Sequence, residues 1–140
     1  MKRVISILIF AIFSIFYSCG PSQKELNDLQ RVELIEIHDE VMPLMGKLKS
    51  QEKKALDQVK ELESSDQVDS MRIQSLKALA YDLDQAYEGM FSWMRQYEIE
   101  DGDMSPEEVK VYLEEQMIKV QKVNEQIKEV LEKADQEFEN

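Results

Sequence analysis

His38, Met42, Met90 and Met94 are the residues of this chain whose types and spacing suit soft-metal chemistry. His38/Met42 and Met90/Met94 are each four residues apart, so each pair shares a face if its segment is helical. Imidazole and thioether donors favour Cu(I). Trp93, next to Met94, would shield the ion. A haem held by His38 and a methionine is a lesser version, and only non-covalently, because no Cys-x-x-Cys-His occurs. The competing reading is an ordinary core. Methionine fills irregular gaps and packs on aromatic rings. A lone histidine on an apolar seam then bonds to a nearby acid, for which Asp39, Glu40 and Asp84 are candidates. No cofactor is expected on that reading, and Cu(I) or haem on the first.

Other reactive constellations are scarce. The only cysteine is Cys19 and the only histidine is His38. A Cys-His pair has no cysteine in the body to draw on, and no serine falls beside His38 in the pattern to build a Ser-His-Asp triad. A His-Glu-x-x-His zinc motif is absent. Asp101-Gly102-Asp103 lacks the remainder of a calcium loop and reads as a turn. Carboxylate pairs carry no information in a chain this acidic, so no enzyme is expected. The 140 residues hold 17 Lys+Arg against 29 Asp+Glu, a net charge of −12. That balance argues against nucleic acid as a partner, because a phosphate backbone wants a basic patch.

Three segments with apolar residues three and four apart must position these side chains. The first spans about Lys24 to Glu63, with a seam through Leu34, His38, Val41, Met45, Leu48, Ala55, Val59 and Leu62; Glu52 stands at an apolar position. Pro43 predicts a kink near Asp39–Pro43, since proline removes one helical hydrogen bond and clashes with the preceding turn. A full break, giving four shorter helices, is the alternative. Ser64, Ser65 and Asp66 predict a turn and the next N-cap. The second helix runs to about Tyr97 through Leu76, Leu79, Leu83, Ala86 and Met90. Ser105-Pro106-Glu107-Glu108 is a helix start with capping residues in place. The third helix runs to about Phe138 through Val109, Leu113, Gln116 or Met117, Val120, Val123, Ile127, Val130 and Ala134. The expected fold is all-α: an antiparallel up-down-up three-helix bundle. Counting from the turns places His38 opposite about Phe91 and Phe91 opposite about Leu113. The histidine, the tryptophan and most of the methionines then share one slab.

Residues 1–18 read as an export signal. Lys2 and Arg3 precede an uncharged apolar run, Val4 to Tyr17, too short for a confident bilayer span. Cys19 ends the run. Phe16-Tyr17-Ser18-Cys19 resembles the lipobox of bacterial lipoproteins, with Ser18 as the small residue before the cysteine; Phe16 and Tyr17 stand where that pattern has leucine and a small residue. The resemblance implies that Cys19 becomes the first residue of the mature chain and carries a diacylglyceryl group, with residues 19–23 a lipidated linker and 24–140 a helical domain. Removing residues 1–18 takes two bases and no acid, leaving a charge of −14. A body so acidic is repelled by anionic lipid, so the acyl chains would hold it to the membrane.

His38-Asp39-Glu40-Val41-Met42-Pro43-Leu44-Met45, with Met90-Phe91-Ser92-Trp93-Met94-Arg95, is similar to a group of small helical lipoproteins, some of which are called viral A-type inclusion proteins. That resemblance spans most of the mature chain. It implies the architecture and no particular activity. The expected function is a membrane-tethered cell-envelope lipoprotein, facing the periplasm or sited in the outer membrane. It would act as a non-enzymatic binding or scaffold module. Its long seams would accept a partner helix or a second copy. The alternative is a Cu(I) or haem binder built on His38, Met42, Met90 and Met94.

Overall fold

The structure, a computed structural model, describes residues 20–66 and 69–139. The segment expected to be an export signal, and Cys19, lie outside the described residues. Within them the chain is helical, with three helical segments packed against one another and no strand. No described helix is long and apolar enough to cross a membrane.

Helix α1, Gln23–Val41, begins at a reciprocal cap: Ser22 Oγ accepts from the Glu25 amide at 3.3 Å, and the Ser22 amide donates to Glu25 Oε2 at 2.7 Å. Two orphan amides are satisfied this way. Pro43 then has no N–H to offer the carbonyl of Asp39. The chain answers with a 3-10 turn over Met42–Leu44, where the Met45 amide bonds back to Met42. Helix α2 follows, Met45–Glu63.

The next helix departs from expectation at its start. Ser64 and Ser65 turn their hydroxyls back onto the Glu61 and Leu62 carbonyls. These contacts close the last turn of α2. The N-cap of α3, Ser70–Gln96, is Asp69, whose carboxylate accepts from the Arg72 amide at 3.0 Å. A carboxylate three residues before that exposed amide is the better placed acceptor. Gly102, at φ +56°, turns the chain before α4, a backbone angle that favours glycine. Helix α4, Pro106–Glu139, opens on the expected box between Ser105 and Glu108.

Helix α4 packs on α1 and on α3, and α2 packs on α3 and more lightly on α4. Leu34, Val41, Leu48, Leu83, Met90, Leu113, Val120 and Ile127 form the main core. A smaller cluster holds Ala55, Val59, Ile73, Leu76 and Ala80. Each fully buried leucine contributes on the order of 1.5–3 kcal/mol over an exposed one. Glu52 sits at the seam's polar position and is paired with Lys49. Two buried asparagines set the register of α1 on α4. Asn27 Nδ2 donates to the Pro106 carbonyl at 2.7 Å, and Asn124 Nδ2 to the Ile37 carbonyl at 2.8 Å. An apolar seam can slide by a turn; a buried amide loses its partner if it does.

Gly89 lies inside α3. A Cβ there would meet both Val123 methyls at 3.9 Å, an ordinary contact. Close approach of α4 therefore does not require glycine. Gly89→Ala should stabilise the protein by up to about 1 kcal/mol, the helix-propensity difference. Thermal melting followed by circular dichroism checks this; a lowered midpoint would show that the contact is tighter than it looks.

Candidate functional site

Where α3 ends, an aromatic cluster joins α1, α3, α4 and the segment 97–105. His38 stands over Trp93 with ring centroids 5.7 Å apart. Trp93 stacks on Tyr97 at 5.1 Å, and Tyr97 on Tyr112 at 6.2 Å. The indole of Trp93 is buried and donates to Gln116 Oε1 at 3.1 Å. Gln116 is buried for that reason: an apolar ring needs the site, and its N–H needs an acceptor.

Arg31 ties the cluster from α1. It donates to Tyr97 Oη at 2.9 Å and to the Glu98 carbonyl at 3.3 Å, and it pairs with Asp101. Its guanidinium lies 6.0 Å from the Tyr97 ring centroid. The Glu98 amide donates to Tyr112 Oη at 2.6 Å. Burial pushes the Tyr112 hydroxyl up from its ordinary pKa, against the lowering effect of that hydrogen bond.

His38 is the chemically open member. Its Nδ1 lies 2.8 Å from Asp39 Oδ1. An ionised carboxylate only accepts, so Nδ1 carries the hydrogen, an assignment made from the bonding network. Nε2 is then the ring nitrogen left without this contact. It is buried and has no partner, the only such side-chain nitrogen among the described residues. A shallow cavity of about 190 Å³ is lined by His38 together with Ile35, Trp93, Met94, Tyr97 and Ile99. Pockets that enclose drug-sized ligands run to roughly 300–1,000 Å³. This one has room for a single side chain or a small ion.

The residues expected to form a soft-metal layer are distributed unequally. His38, Trp93 and Met94 share the cavity wall. Met90 is fully buried in the main core and Met42 packs half-buried against it; neither lines the cavity. Asp39, among the three acids considered for His38, is its partner. The partner of His38 on α3 is Trp93, two residues past the Phe91 obtained by counting from turns. Helix α3 starts at Ser70, four residues past the Asp66 expected to begin it. Among the described residues no three His, Cys, Asp or Glu side chains cluster as a metal site would.

Arg31, Ile35, Ile99 and Tyr112 were not singled out from sequence. Arg31 carried a signal: it is the one base among the acids between Glu25 and Glu40. Ile99 carried none, because the segment after Gln96 has no periodicity from which to read a face.

Gln116→Leu should cost about 1–3 kcal/mol, since the indole N–H is left buried without an acceptor. Guanidinium unfolding followed by the emission of Trp93, the only tryptophan in the chain, measures it. An unchanged midpoint would mean the indole reaches another acceptor.

No family model, curated protein or solved structure matches this chain.

Proposed function

We propose that this chain is a lipid-anchored protein of the cell envelope whose helical body binds a partner helix and performs no catalysis. One observation supports the binding role above others. Leu26, Leu29, Val32 and Ile35 are 43%, 65%, 58% and 36% exposed, and they follow one another at three-residue spacing along α1. Residues three apart are neighbours on a helix. The row leads into the cavity beside Trp93. The row winds across the outer face of α1, and neighbouring exposed apolar side chains of this kind mark an interaction site. The up-down-up course belongs to the same reading, supported by the Asn27–Pro106 and Ile37–Asn124 pairings. So does a kink of the first helical segment at Pro43, supported by the 3-10 turn there.

Anchoring rests on the lipobox resemblance at Cys19. Cys19→Ser should move the protein from the membrane fraction to the soluble fraction. A photocrosslinking residue at Val32 or Ile99, in cells, should give one discrete adduct that the same residue at Met71 does not give. Membrane retention of the serine variant would sink the anchor. Identical products from all three positions would sink the docking face.

The free Nε2 of His38 favours a second reading, Cu(I) binding. A histidine that ligates a metal ordinarily gives its other ring N–H to a carboxylate, as His38 does to Asp39. Met94 would supply the thioether, and Trp93 would cover the ion. Met42 and Met90 would serve as packing. A haem is not supported in a cavity of about 190 Å³. Competition with a chromogenic Cu(I) chelator should show one site, lost in His38→Ala and in Met94→Ala and kept in Met42→Leu. Equal copper retention by all of these proteins would end this reading.

A further inference from the structure

The charge of this protein is not spread evenly. Residues 23–41 carry six acids against two bases, and residues 97–108 carry six acids and no base. Residues 42–96 carry nine acids against eight bases. The two acidic stretches meet in space: Asn27 bonds to Pro106, and Arg31 to Tyr97, Glu98 and Asp101. Of the two bases there, Arg31 is consumed by those contacts and Lys24 is exposed. Asp28, Glu33, Glu36, Glu98 and Glu100 are exposed and form no ion pair among the described residues. The apolar row of α1 and the cavity beside Trp93 occupy this same acidic end. On the helical wheel, Asp28, Glu33 and Glu36 share the outward arc of α1 with Leu29 and Val32.

We infer that this end of the bundle is a docking surface for a cationic amphipathic helix. Such a helix would lay its apolar stripe along Leu29, Val32 and Ile35, seat one side chain in the cavity between Ile35, Trp93 and Ile99, and meet the flanking carboxylates with Lys and Arg. The inference rests on the binding role proposed above and adds the partner's chemistry. Charge decides against the other occupants. A second copy would bring its own acids onto these, and anionic lipid headgroups would be repelled. A cationic helix gains attraction on both flanks of the apolar contact, and faster encounter as well.

Trp93 is a built-in reporter, being the only tryptophan and a wall of the cavity. The full chain, in nanodiscs of zwitterionic lipid, is titrated with a tryptophan-free leucine–lysine amphipathic peptide, with empty nanodiscs as blank. A saturable change in Trp93 emission is expected. Affinity should fall about tenfold or more between roughly 50 and 300 mM salt. It should fall similarly in Ile99→Ser, a fully tolerable change at a 74% exposed position, and in Glu98→Gln/Glu100→Gln; Met71→Ser, at the other end of α3, should leave it unchanged. If the leucine–glutamate peptide binds as well as the leucine–lysine one, the cationic partner is overturned and the helix-binding role stands. Peptide signal that the empty nanodiscs reproduce overturns the inference in favour of lipid, and a doubled protein mass blocking the peptide does so in favour of a second copy. No response of Trp93 to either peptide overturns the inference and the binding role together.

Discussion

Helix α3 stops at Gln96 while α1 extends well past it, and the first turns of α1 are left with α4 and the segment 97–105 for neighbours. Much of what is distinctive at this end follows from that mismatch in length. Leu29 and Val32 lie on the arc of α1 opposite buried Leu34 and face outward. The gap beside the last turn of α3 becomes the cavity. Tyr97, the first residue in extended conformation, turns the chain across the gap. Arg31 holds it there with donors directed at a hydroxyl, a backbone carbonyl and a carboxylate, which its planar, forked head can serve at once.

Polar groups specify this bundle as much as apolar area stabilises it. Heptad-like seams tolerate shifts by a turn. Asn27, Gln116 and Asn124 do not, because each buried amide meets its partner on the facing helix in one register only. Asn124 also donates to Glu40, which pairs with Lys128. These two contacts hold the Glu40 carboxyl below its ordinary pKa, with the Lys128 hydrogen bond the larger cause. A carboxyl lowered in this way favours the folded state above its unfolded pKa and loses that contribution as pH falls through the folded one.

The helical class and most of the core were legible because they depend on periodicity alone. Leu34, Val41, Leu48, Leu83, Met90, Leu113, Val120 and Ile127 fall on the seams and are buried. The start of α4 was legible because a capping box is local in sequence. The start of α3 was not, because Ser64, Ser65, Asp66 and Asp69 are all residue types that cap helices, and type alone does not choose among them. The candidate site was half legible. His38, Trp93 and Met94 stood out by type. Arg31, Ile99 and Tyr112 act through contacts between segments far apart in the chain.

From its own residues, then, the sequence determined an acidic helical body with a break in continuity at Pro43, and an amino-terminal stretch of a different composition ending at Cys19. These are properties of single segments: repeat spacing, a missing N–H, a run without charge. Only the tertiary structure decided that His38 meets Trp93, that Met90 is core while Met94 is wall, and that two acidic stretches share one end with an exposed apolar row. Those outcomes turn on helix lengths and register, quantities fixed by the packing of one helix against another and by the few buried amides that let it settle in a single position.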